Sequence, residues 1–240
     1  MAELVGAAWQ NAGMAASGQR TQGTPVGVEQ GAKRVFAWAL DWPGWCRSGR
    51  TEEQALEALA GYLPRYQAVA RQARIALPAG AAERLSVVER VEGSGATDFG
   101  VPHEITAADR EKLDADEARR RARLVSAAWR VFDQMVAGAP AELRKGPRGG
   151  GRDRDKMIGH VLEAEAAYAR ALGIKLPAPE LGDREAIEGL RKRILAVLRE
   201  PSDGEALTPK GWPLRYAARR IAWHVLDHAW EMQDRSDRQG

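Results

Sequence analysis

Residues 213–234 read PLRYAARRIAWHVLDHAWEMQD, and the architecture turns on what that stretch does. Its apolar residues recur at helical spacing, which predicts a helix over roughly Pro213 to Asp234. His224 and His228 stand four residues apart, so they differ by about 40° in direction and about 6 Å along the axis, and project side by side. Ala217, Ile221, Glu231 and Arg235 fall within about 60° of His224 on the same wheel, so the pair sits on the inward face.

Working back along the chain, three more helices lead to this one. Asp183 to Glu200 carries Ile187, Leu190, Ile194 and Val197 inward and stops at Pro201-Ser202-Asp203-Gly204. Asp153 to Leu172 has an apolar stripe of Met157, His160, Val161, Ala164, Tyr168 and Ala171; Gly173 ends it, and Leu176-Pro177-Ala178-Pro179 forces an extended crossing. A long helix from Thr106 to about Ala137, opened by a capping box at Thr106-x-x-Asp109, places Leu124, Ala128, Phe132 and Met135 on one face. Four amphipathic helices with no strand between them predict a four-helix bundle over 106–236.

The part before it reads differently. Pro25 to Val28 is a short edge strand, and Arg34 to Leu40 alternates Phe36, Trp38 and Leu40 with smaller residues, the period of a strand with one face buried. Asp41-Trp42-Pro43-Gly44 is a turn signal, from which Trp45 to Ser48 returns as a partner strand. Thr51 caps a helix with Glu52 and Glu53 in its first turn and Gln54 completing a capping box; it buries Ala55, Leu56, Leu59 and Leu63, with Tyr62 and Tyr66 beside them. Leu85 to Val91 closes the unit as another strand. The expected organisation is a disordered leader over 1–24, a small α+β domain over 25–95, a linker over 96–105 and the bundle over 106–236. The fold class is α+β, mainly α.

Scarce residues bound the chemistry. The 240 residues include one cysteine, Cys46, so neither an intrachain disulfide nor a cysteine-based metal cluster is available. The four histidines are His103, His160, His224 and His228. The net charge of +3 is spread along the chain, and 29 of the 36 basic residues are arginine; this reads as genome composition and does not indicate a nucleic-acid partner. No signal peptide and no apolar run of bilayer length is legible, so a soluble, cytoplasmic protein is expected.

Two imidazoles from the last helix and a third, His160, from a facing one can converge on a divalent ion and leave a coordination position open. Such a centre is a Lewis acid or a water activator. The plainer alternative, three histidines hydrogen-bonded in a core, stands beside it. Glu231, one turn beyond His228, is the candidate catalytic base or orienting carboxylate; pairing with Arg235 at i+4 is an equal alternative. Asp227 lies to the other side, and Glu163 is a surface carboxylate or a support for His160. Trp223 and Trp230 read as core packing, Cys46 as a small packed residue and His103 as a bystander. Gly149-Gly150-Gly151 lacks the features of a phosphate loop and reads as a mobile loop at the bundle mouth, with Arg148, Arg152 and Arg154 able to meet an anion.

Ile158-Gly159-His160-Val161-Leu162 on the second bundle helix, with Trp223-His224-Val225-Leu226-Asp227-His228 on the last, resembles the DinB/YfiT-like superfamily of metal-binding four-helix bundles over about 106–236. The resemblance implies a nickel- or zinc-type site on His160, His224 and His228. Some members of that superfamily are S-transferases or isomerases that use a low-molecular-weight thiol. Leu40-Asp41-Trp42-Pro43-Gly44-Trp45, followed by Ser48-Gly49-Arg50-Thr51-Glu52-Glu53-Gln54-Ala55, is similar to HicB-like antitoxin domains over about 25–92. The combined expectation is a bacterial metalloprotein that acts on a small-molecule substrate through metal-activated thiol or water, with no nucleic-acid or membrane partner and a homodimeric assembly. The alternative is a non-enzymatic binding protein with a HicB-like recognition domain and structural or metal-free histidines.

Overall fold

The computed structural model describes residues 23–145 and 151–236. The leader expected over 1–24 lies outside these residues except for Gly23 and Thr24, and so do Arg148, Gly149 and Gly150 of the glycine-rich loop. Among the described residues the fold is α+β, about 52% helical.

The sheet contains β1 (Thr24–Gln30), β2 (Val35–Ala39), β3 (Cys46–Gly49) and β4 (Leu85–Glu92), in the order β3-β2-β1-β4. β2 runs antiparallel to β1 and β3, whereas β4 lies parallel to β1. Expected at an edge, β1 is therefore central. The expectation that β2 has one open face also fails, since all five of its residues are buried. Trp38 crosses over β1 at Gly27, where a Cβ would stand 2.5 Å from the indole; the missing side chain admits the ring.

The parallel return is made by α1 (Glu52–Gly61) and α2 (Leu63–Ala73). Thr51 accepts from the Gln54 amide at 3.2 Å as expected of a cap, but the helix divides at Tyr62 because Pro64, in the first turn of α2, has no amide to continue the ladder. Trp45 donates its indole N–H to the Leu59 carbonyl at 2.7 Å and stacks on Tyr66, whose hydroxyl donates to the Pro43 carbonyl at 2.9 Å. The WPGW turn is thus tied to both helices.

A short helix, α3 (Gly95–Phe99), occupies a stretch with no legible helical period. Buried Glu29 accepts from the Thr97 hydroxyl and from the His103 and Glu104 amides, which satisfies that segment's buried donors. The Thr106/Asp109 box forms, yet it caps only a 3-10 turn at Ala108–Arg110. Helix α4 (Ala115–Gly138) starts at Asp114, which caps the Glu117 amide at 2.8 Å. A bridge between Leu113 and Ser202 holds the intervening residues extended.

Helices α5 (Arg154–Ala171), α6 (Arg184–Leu198) and α7 (Leu214–Ser236) follow within a residue or two of expectation. α4 and α5 each pack against both α6 and α7. One buried cluster runs from Val26, Trp45 and Leu59 through Leu124, Phe132 and Met157 to Ile194, Ile221 and Leu226. A second joins Phe36, Trp38 and Cys46 of the sheet to Trp223 of α7. Among the described residues, no helix is long and apolar enough to cross a membrane.

Candidate metal centre

Helix α7 is held on several sides. Arg219, 5% exposed, pairs with Asp109 and donates to the Glu104 carbonyl, while its guanidinium lies 4.4 Å from the centre of the Trp38 ring. Asp227 pairs with Arg47 of β3 at 2.9 Å, which turns it toward the sheet and away from the histidines. Gly44, at φ 93°, brings the WPGW turn against Ala222 and Leu226. Trp223 meets Phe36 and Trp230 meets Tyr62, both edge to face, so these tryptophans pack in the core.

The face left over carries the histidines. His160 from α5 approaches His224 with the two Nε2 atoms 3.3 Å apart, and one ring nitrogen from each of His160, His224 and His228 lies within 4.8 Å of the other two. For metal–nitrogen bonds of about 2.05 Å at a tetrahedral angle, geometry requires nitrogens about 3.3 Å apart. The first pair already meets that spacing, and His228 offers a ring nitrogen within 4.8 Å of both.

The carboxylate of Glu231 stands 3.1 Å from Nδ1 of His228. Because an ionised carboxylate only accepts, Nδ1 carries the proton and the Nε2 lone pair is left for an ion, the usual support for a metal-binding histidine. The other Glu231 oxygen accepts from Arg235 at 2.9 Å. Glu231 thus contacts both His228 and the i+4 Arg235. Its hydrogen bond with His228 is the main reason its carboxyl lies below the usual range.

Burial, reinforced by the neighbouring His228 and Arg220, pushes His224 well below its ordinary value, and His160 is lowered chiefly by burial and then by His228. Both are thus favoured in the neutral form that binds metals. His160 is half-buried and forms the accessible side of the cluster.

The other candidates lie elsewhere. His103 serves through its backbone, accepting from the Tyr216 hydroxyl at 2.9 Å. Burial pushes the Cys46 thiol up to about 12, which makes it inert at neutral pH. Glu163 is exposed, Arg154 donates to the Ala139 carbonyl, and Trp42 and Trp45 pack on Tyr66. A cavity of about 520 Å³ between the sheet and α4, lined by Trp42, Arg84, Arg120 and Arg215 among others, contains no histidine.

Of two further neighbours, the sequence predicts Tyr168 only as part of the apolar stripe that carries His160, and it does not single out Arg220. Tyr168 sets its ring edge-on to His224 at 5.6 Å. Arg220, one turn before His224, is 7% exposed, and its Nε and Nη1 have no hydrogen-bond partner among the described residues. The same i, i+4 spacing that singled out the histidines marks Arg220, but a helical wheel does not reveal the lack of a partner. Comparisons with protein-family profiles, curated proteins and solved structures find no match.

Proposed function

We propose that His160, His224 and His228 hold a divalent ion, nickel or zinc, and that the protein is a DinB-like metalloprotein acting on a small molecule through activated thiol or water, in a reaction of the S-transferase, isomerase or hydrolase type. The observation that carries this reading is the 3.3 Å approach of the His160 and His224 Nε2 atoms, with His228 beside them and Glu231 fixing its proton. Two neutral imidazoles this close share one proton or face a cation. The lowered proton affinity of both favours lone pairs over added charge. The packing of α4 and α5 against α6 and α7 is compatible with the bundle that the resemblance implies.

A divalent ion at this position supplies Lewis acidity and lowers the pKa of a coordinated water or thiol toward neutrality. The chain's own contribution is to position it: α7 holds two ligands at fixed spacing, α5 brings the third, and Glu231 orients His228. Glu231, held between His228 and Arg235, is the carboxylate that would take up a proton.

Metal analysis of the purified protein after reconstitution tests the reading, beside a His224→Ala/His228→Ala variant. About one equivalent in the wild type and its loss in the variant is the expected outcome; less than about a tenth of an equivalent of nickel, zinc, iron or manganese in the wild type overturns it.

A further inference from the structure

Arg219 and Arg220 are adjacent, both buried, and treated oppositely. Among the described residues Arg219 meets Asp109, whereas Arg220 meets no carboxylate and two of its three nitrogens are buried without an acceptor. Its guanidinium lies 4.6 Å from the centre of the Trp223 ring and 5.4 Å from that of Tyr168, the same Tyr168 that packs edge-on to His224. Cation–π contacts soften a buried charge without satisfying its N–H donors. An unpaired buried cation costs several kcal/mol, a cost that an arriving anion would relieve.

We propose that Arg220 is the substrate-binding residue of the histidine centre and takes the carboxylate of a small organic acid, whose second donor group, a thiol or hydroxyl two or three bonds away, reaches the ion. This rests on the metal reading above and names its substrate class. Arg220 and His224, four apart, project to the same side of α7, and Tyr168 lies against both. Charge agrees as well. Arg220 and Arg152 both act on His224, while Glu231, the carboxylate bonded to the cluster, is already shared by His228 and Arg235. A planar monoanion fits better than a phosphate. Arg220 lies mid-helix, away from the free amides of a helix N-terminus, and one guanidinium between aromatic rings does not supply the several donors that a phosphate dianion takes.

The test uses the full chain loaded with cobalt(II), titrated with 3-mercaptopropionate and with its neutral amide, 3-mercaptopropionamide, while the visible absorption of the ion is followed. The thiol is common to both probes, so their difference reports the carboxylate. The acid is expected to bind about tenfold to a hundredfold more tightly than the amide. Arg220→Gln should abolish that preference at unchanged cobalt stoichiometry, and Arg220→Lys should keep part of it. Equal affinities in the wild type, a preference that survives in Arg220→Gln, or tighter binding of inorganic phosphate than of the acid overturns the proposal. If cobalt does not bind, the metal reading fails by itself. Tryptophan fluorescence of the metal-free protein with acetate against acetamide then decides the arginine: a response to acetate alone, lost in Arg220→Gln, supports the carboxylate site, and its absence overturns it.

Discussion

Asp109→Asn should be among the most destabilising single changes outside the histidine cluster. Asp109 is 4% exposed and Arg219 5%, and they are joined by two hydrogen bonds, so the change keeps the volume of the side chain but leaves a guanidinium buried beside a neutral amide. Arg219 retains the Glu104 carbonyl and its contact with Trp38, which do not neutralise it. Breaking one side of a buried pair costs about 3–5 kcal/mol. With an unfolding entropy of about 2.1 cal/mol/K per residue, a chain of this size loses about 2 °C per kcal/mol, so the melting temperature should fall by about 6–10 °C. Arg219→Met in the Asp109→Asn background removes the orphaned charge. The double variant should therefore be more stable than the sum of the single changes implies, by about 1.5 kcal/mol or more. Urea unfolding followed by circular dichroism and tryptophan fluorescence gives all four corners of the cycle. A cost below about 1 kcal/mol for Asp109→Asn, or additivity within about 0.5 kcal/mol, would refute the claim that this pair anchors α7.

Glu231→Gln, which weakens the hold on the His228 proton, should lower metal affinity about 10- to 100-fold in competition with a chromophoric chelator; unchanged affinity would leave Glu231 to Arg235 alone. Zinc or nickel at about 1,000 times its dissociation constant should stabilise the wild type by about 4 kcal/mol, visible as a higher melting temperature that is absent in His228→Ala. The metal-free protein should lose stability on acidification below about pH 6.5, because the unfolded chain protonates histidines that His224 and His160 resist protonating when folded. Urea midpoints that do not fall between pH 7.5 and 5 would count against those depressed values. Gly44→Ala forces a side chain at φ 93° to within 2.6 Å of Leu226 Cδ1, and should cost about 1–3 kcal/mol in a denaturation experiment.

The helices that carry the site were legible because their signals are local. Asp183, where the pattern starts a helix, accepts from the Ala186 amide as its cap, and the apolar period of residues 153–172 and 213–234 persists for several turns. The start of α4 was misread although its local signal is real. Thr106 and Asp109 do exchange hydrogen bonds, but the pairing of Leu113 with Ser202, distant in sequence, interrupts the helix before Asp114 restarts it. The position of β1 failed for a related reason: the parallel partner β4 arrives after two intervening helices, and Val26 and Val28 alone do not announce it. At the site, periodicity supplied the three histidines and Glu231. It could not separate Arg219 from Arg220, since only the fold decides which of two adjacent arginines meets Asp109.

That difference gives α7 its electrostatic character. Arg219 is matched by Asp109, Asp227 by Arg47, Asp234 by Arg65, and Arg235 by Glu231, so charge is balanced around most of the helix. Among the described residues two arginines of α7 meet no carboxylate: Arg215, which donates to the Glu111 and Lys112 carbonyls near the start of the helix, and Arg220, which lies on the stripe of His224 and His228 facing His160. On the proposed reading a divalent ion adds two positive charges to a region whose bonded carboxylate is already shared. Burying that charge without a counterion is unfavourable by several kcal/mol. Ion and organic acid therefore stabilise each other's binding, and linkage makes the effect reciprocal: what the acid contributes to holding the ion, the ion contributes to holding the acid. A helix fixed on its other faces suits this role, because donors held in place before the ligand arrives need not be reorganised when it does.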